Sequence, residues 1–173
     1  MEQVITSREA ISLLHRAGCS TAVSQHCKAV SQLAVKLARK LERKGTKIDV
    51  ELVRIGGLLH DIGRSKTHDI NHGVVGAEIV RSFDLPNSVI RIVERHIGSG
   101  IPAEEAVKLG LPNKDFIPET LEEKIISYAD KLIERNHKIS FDTALKSFSD
   151  KFGSSHAILN RFKQIHTELG LGE

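Results

Sequence analysis

Between residues 20 and 45, His26, Val30, Leu33, Leu37 and Leu41 fall four, three, four and four positions apart. That spacing lines up one face of an α-helix. The apolar stripe carries His26 inward with it, while Lys28, Lys36, Arg39, Lys40, Arg43 and Lys44 occupy the opposite face. Start and stop signals predict further helices. Thr6-Ser7-Arg8-Glu9 fits a capping box, and the short helix behind it carries Ile11 and Leu14 and stops at Gly18. Asp49 reads as the N-cap of a third helix, whose apolar end, from Leu52 to Leu59, runs into His60-Asp61. Asn71 reads as the cap of a helix reaching Phe83, with His72 in its first turn and Gly73, Gly76 and Ala77 small enough for close backbone packing. Residues 89 to 97 form another helix that carries His96, and 103 to 109 a short one. The stretch 111 to 119, with prolines at 112 and 118, is a loop long enough to cover or border a pocket. Thr120-Leu121-Glu122-Glu123 matches a second capping box and opens a helix to about His137, on which Ile126, Asp130 and Ile133 share a face. Two amphipathic helices over 140–152 and 155–169 turn Phe148 and Phe152, then Phe162, Ile165 and Leu169, inward. No run shows the period-two alternation of a strand. The pattern predicts an all-α fold in one domain spanning 1–173.

Composition adds little beyond this. The 173 residues are 40% hydrophobic and 27% charged, ordinary globular usage for one domain with a sizeable core. Six Phe, one Tyr and no Trp leave the core to Leu, Ile, Val and Ala. The net charge of +3 is too small and too evenly spread to argue for nucleic acid as the main partner. The basic face of the second helix lacks interleaved aromatics and reads as solvated. Cys19 and Cys27 form no CxxC pair and read as reduced intracellular thiols. No charged-then-apolar leader pattern and no membrane-length apolar run is present. These features imply a soluble cytoplasmic protein with no membrane partner.

The chemistry lies in the inward polar groups. A histidine and an aspartate at the end of an apolar helix are costly to bury unless a partner or a metal neutralises them. Three helices deliver such groups: His26, the His60-Asp61 pair, and Asp130. Two imidazole nitrogens and two carboxylates make a mixed ligand set suited to Mn, Fe, Co, Ni or Zn rather than to calcium or structural zinc. Arg64, just past the pair, is the best candidate for a bidentate phosphate contact. Arg95 and Lys131 are weaker candidates. His15, His137, His156 and His166 read as surface residues, and His68 as a loop residue that does not ligate.

The ordered set His26, His60-Asp61 and Asp130, with Gly63-Arg64 following, resembles the HD-domain metal-dependent phosphohydrolases. The likeness covers roughly residues 20–137, and 138–173 would be two extra C-terminal helices that complete the fold or form a homodimer face. It implies that His26, His60, Asp61 and Asp130 bind a first metal. Two-metal subfamilies carry histidines at the places of His72 and His96, with Asp61 bridging, so the cofactor would be one or two divalent or trivalent transition-metal ions. His72, His96 and the Ala129-Asp130-Lys131 step look most like the HD-type diadenosine tetraphosphate hydrolases. Ile97 stands where the cyclic-di-GMP phosphodiesterases have a second adjacent histidine, and their GYP segment is missing, which argues against that substrate. The implied activity is hydrolysis of a phosphoester or phosphoanhydride of a small nucleotide or dinucleotide by metal-activated water, with Asp61 and Arg64 as catalytic residues. Alternatives are a nucleoside 5′-monophosphatase, a cyclic phosphodiesterase, or a non-catalytic metal-stabilised nucleotide-binding module.

Overall fold

The fold was analysed in a computed structural model that describes residues 5–152 and 157–171, the Phe152 side chain excepted. The described residues form nine α-helices: α1 (Ser7–Ala17), α2 (Thr21–Arg43), α3 (Val50–Leu59), α4 (His72–Ser82), α5 (Asn87–Arg95), α6 (Ala103–Lys108), α7 (Leu121–Lys131), α8 (Phe141–Phe152) and α9 (Ala157–Leu169). Two-residue strands β1 (Ile133–Glu134) and β2 (His137–Lys138) form an antiparallel hairpin between α7 and α8. The all-α class expected from the sequence is the one observed.

Most of the expected caps are made. Thr6 and Glu9 form the reciprocal capping box of α1, Ser20 caps α2 through the Val23 amide, and Asp49 accepts from Leu52 N at 2.9 Å. The α7 cap is only half a box. Thr120 Oγ1 accepts from the Glu123 amide, but the Glu123 carboxylate reaches back to the amide of Glu119 instead. Asn71 makes no side-chain cap for α4; its Oδ1 accepts from Thr67 Oγ1. An N-cap hydroxyl contributes about 1 kcal/mol. Thr120→Ala is therefore expected to lower the melting temperature by about 2–4 °C for a chain of this size, measured by circular dichroism.

The sequence pattern also carried α7 too far. The helix stops at Lys131 and the chain reverses in the hairpin, with Arg135 at φ 48° and Asn136 at φ 65°. Two consecutive left-handed residues make the tight turn whose twist suits a two-residue hairpin loop.

Helix α3 is the axis of the molecule. It packs against α2, α1, α5 and α7, and its flanks belong to two hydrophobic clusters. Val53 joins Val30, Ala34, Ile125, Ile126 and Phe162 on one side. Ile55, Leu58 and Leu59 join Leu14, Val80 and Val93 on the other. Contact with α2 is close because Gly57 has no side chain. A Cβ there would stand 2.6 Å from Ser31 Cα, and Ser31 Oγ donates to the Arg54 carbonyl across the same seam. A helix buried on both flanks has to end in the interior, and that is where His60 and Asp61 lie.

Helices α8 and α9 pack on each other and α9 packs on α7, and Phe162, Ile165 and Leu169 are buried with it as the pattern predicts. Phe148 crosses Phe162 edge-on at 5.2 Å between ring centroids. His15, His68 and His137 are exposed as expected, while His156 and the Phe152 side chain lie outside the described residues. His166 is not a plain surface residue. It stacks on Phe141 at 3.7 Å and its Nδ1 lies 2.7 Å from the Tyr128 hydroxyl. The 111–119 loop is pinned by a backbone bridge between Ile101 and Phe116 and borders a cavity shared with Arg161 and Glu168. Among the described residues no helix is long and apolar enough to cross a membrane.

Candidate metal centre

Six of the residues singled out by sequence converge in two adjoining groups, His26, His60, Asp61 and Asp130 in one and Asp61, His72 and His96 in the other. In each, the candidate ligand atoms all lie within 4.8 Å of one another. Asp61 belongs to both. Its Oδ2 lies 3.6 Å from His26 Nε2 and 3.7 Å from His60 Nε2. Its Oδ1 lies 3.2 Å from both His72 Nε2 and His96 Nε2. Asp130, from α7, closes the first group, with Oδ1 2.9 Å from His26 Nε2 and 3.3 Å from His60 Nε2.

Helix ends hold the rings in place. The last carbonyls of a helix have no intrahelical donor. His60 and His96, at the C-caps of α3 and α5, each use one, donating Nδ1–H to the carbonyls of Gly57 and Val93 at 2.7 Å. His72 does the same with the Asp69 carbonyl at 2.8 Å. All three contacts reach back three residues. They fix one tautomer and leave each Nε2 with a bare lone pair facing the cluster, the arrangement typical of ligating histidines. The sequence reading missed these carbonyls. The available signal, for His60 and His96, was a histidine directly after a helix.

Electrostatics match that assignment at His96, whereas the carboxylates beside His60 favour its protonated ring. Burial pushes His96 down to about 4, so its ring is neutral at neutral pH. For His60, burial opposes protonation but the Asp61 charge outweighs it and raises the ring's pKa. Burial likewise opposes the ionised form of Asp61, yet the charge of His60 and the close rings of His72 and His96 hold it well below the usual carboxylate range. Asp130 is held low against its burial by the Lys131 ammonium, the bond from His26 and the close His60 ring.

Whether a metal suits these residues can be judged from their own unmet valences. His60 Nε2 and Asp61 Oδ1 are buried with no hydrogen-bond partner. His72 Nε2 and His96 Nε2 face each other at 3.2 Å, and with both Nδ1 atoms donating elsewhere these are two lone pairs. A third acceptor, Asp61 Oδ1, stands 3.2 Å from each. Three acceptors at that spacing repel unless a cation sits among them. The donor set fits a transition metal.

The neighbouring cations behave differently from one another. Arg64 Nε donates to Asp61 Oδ2 at 3.0 Å and NH1 to the His68 carbonyl at 3.4 Å, and the side chain remains 31% exposed, open to a ligand. Lys131 Nζ donates to Asp130 Oδ2 and to the His96 carbonyl, which ties the two groups together. Arg95 turns away to Glu119 and Glu123, at 3.0 and 3.1 Å, so its place beside His96 in the sequence does not bring it to the site. Neither cysteine joins either group; Cys19 donates to the Ile62 carbonyl and burial pushes its thiol up to about 11.

Comparison with known proteins fits this picture. Residues 23–135 match the HD domain. The chain is 49% identical over 161 residues to an uncharacterised protein of Methanocaldococcus jannaschii, covering 93% of this chain and 95% of that one. It is 39% identical over 163 residues to the tRNA (cytidine(56)-2′-O)-methyltransferase of Picrophilus torridus, covering 93% of this chain but 45% of that enzyme. The crystal structure of the L. monocytogenes phosphodiesterase PgpH HD domain in complex with cyclic-di-AMP shares the fold, with a TM-score of 0.58, 19% identity and 93% of each chain covered. None of these three is named as a diadenosine tetraphosphate hydrolase, so they lend no support to that narrower resemblance. With residues 23–135 matched and the ordered histidines and aspartates gathered at one centre, the chain belongs to the HD domain family.

Proposed function

We propose that this chain is a metal-dependent phosphohydrolase that cleaves a phosphoester or phosphoanhydride of a nucleotide or dinucleotide. The observation that carries the reading is the shared carboxylate, Asp61, whose two oxygens face two separate pairs of imidazole Nε2 atoms. His26, His60, Asp61 and Asp130 would hold one ion, and Asp61, His72 and His96 a second. An ion so held supplies Lewis-acid charge to a phosphate and acidifies a water toward the role of nucleophile.

The rest is positioning by the chain's own residues. Asp61 faces four rings and the Arg64 Nε, so it orients rather than acting as a free base. Arg64, partly exposed beside it, binds a phosphate oxygen and stabilises charge as the phosphoryl group transfers. Lys131 holds Asp130 in register with His96. The complete burial of the His60 side chain keeps bulk water off the inner wall, which strengthens each of these electrostatic contacts. By their titles the Picrophilus torridus enzyme acts on tRNA and the PgpH HD domain is bound to cyclic-di-AMP, which supports a nucleotide here without fixing which.

The test is a panel of diadenosine tetraphosphate, nucleoside 5′-monophosphates, cyclic-di-AMP and bis(p-nitrophenyl) phosphate, each assayed with Mn, Co, Fe, Ni and Zn. At least one substrate is expected to turn over, with EDTA abolishing the activity and metal restoring it. Absence of cleavage across the whole panel overturns the reading.

A further inference from the structure

Beside the metal centre, a cavity of about 640 Å³ opens between the 97–109 segment and the C-terminal helices. Its volume falls in the usual range for small-molecule sites. The walls are apolar: Ile97 and Ile101 on one side, Phe148 and Ile158 on the other, Ile70 and Leu109 at the mouth. Those last two are 37% and 46% exposed, which leaves apolar surface uncovered where a ligand would cover it.

The polar groups in the lining are of one sign once their partners are counted. Glu105 is neutralised by Arg161, which donates to both carboxylate oxygens at 3.1 and 2.8 Å. Lys131 is paired with Asp130, and the remaining charged groups are Lys108 and Lys151. Ion pairs of lysine among the described residues involve Lys114, Lys124 and Lys131, so no carboxylate of those residues balances Lys108 or Lys151. A smaller pocket of about 200 Å³ shares Lys131, Phe148 and Lys151 with the cavity and reaches Asp130. An occupant must therefore combine an apolar body with anionic charge and end at the metal centre.

We propose that this cavity seats the base of the nucleotide whose phosphate lies at the His/Asp centre, with Lys108 and Lys151 neutralising phosphate charge at its edge. Phe148, Lys151 and Ile158 come from α8 and α9, so the C-terminal helices are the specificity element. The inference rests on the nucleotide reading above, but its test needs no turnover.

Binding of AMP, ribose 5-phosphate and octyl phosphate to the EDTA-treated full chain is measured by isothermal titration calorimetry. AMP is expected to bind at least about tenfold tighter than ribose 5-phosphate, a difference the base alone can supply. Leu109→Glu, an exposed rim substitution, is expected to weaken AMP binding about tenfold while leaving the melting temperature unchanged. Lys151→Gln is expected to weaken AMP and ribose 5-phosphate alike. Equal affinities for AMP and ribose 5-phosphate, tighter binding of octyl phosphate than AMP, or an unaffected Leu109→Glu variant would each overturn the proposal. Base-dependent binding in a protein that cleaves nothing would sink the hydrolase reading and leave this site standing.

Discussion

Asp61→Asn is expected to strip the protein of bound metal and to cost at least about a hundredfold in turnover, the upper end for losing even an outer-shell partner. The side chain keeps its shape but loses its charge, and one of its two oxygens becomes an NH₂ group. Whichever way the amide turns, a donor replaces an acceptor. Turned one way, the NH₂ stands near His72 and His96, where the carboxylate oxygen lies 3.2 Å from each. Turned the other, it opposes Arg64 Nε, which now donates to Asp61 Oδ2 at 3.0 Å. Neither arrangement lets both groups keep their acceptors. His72→Asn touches only the second group and is expected to remove one ion where Asp61→Asn removes both. Elemental analysis of the two variants after metal loading separates these outcomes. Full metal occupancy in Asp61→Asn would end the two-site reading, and melting curves in EDTA show whether either variant has simply lost its fold.

How much of this was legible beforehand depends on where a residue sits in its element. His26 could be found because a 23-residue helix accumulates enough turns for a stripe to show. Asp130 followed from the same arithmetic on α7. His72 and His96 could not be found that way. One opens α4 and the other caps α5, and at a helix end periodicity has either not begun or has run out; only the family resemblance pointed to them. Adjacency misled in one case. Successive helical residues point about 100° apart, so Arg95 beside a candidate ligand faces Glu119 and Glu123 instead. The hairpin after α7 was invisible for a related reason. Strands of two residues are too short to alternate, Ile133 continues the helical stripe, and the turn carries Arg135-Asn136 rather than a glycine. His166 read as a surface residue because its stacking partner, Phe141, and its bonding partner, Tyr128, come from other helices. A pattern confined to α9 contains neither.

Gly63→Ala tests the scaffold rather than the chemistry, and its expected effect is the larger on stability. Gly63 lies in the short 3₁₀ turn Ile62–Ser65 that leads away from Asp61, packed against the start of α4. A Cβ at this position would stand 1.8 Å from the His72 carbonyl oxygen and 2.7 Å from the Gly76 amide nitrogen. Both are backbone atoms, so no side chain can rotate out of the way; α4 itself has to move. The cost is expected at about 3 kcal/mol or more, the upper end for overpacking a core, or a fall of roughly 6–12 °C in melting temperature for a chain of this length. Gly45→Ala provides the contrast. Gly45 sits at φ +90° with nothing within 4 Å of a built Cβ, so it carries only the left-handed backbone penalty of about 1–2 kcal/mol. The displacement at Gly63 also has a direction. It shifts the first residue of α4, His72, out of reach of Asp61 and His96, so Gly63→Ala is expected to lose the second ion while the first group, built from α2, α3 and α7, keeps its own. A Gly63→Ala protein that melts like the parent and holds as much metal would show that the close approach of this turn to α4 does not position His72.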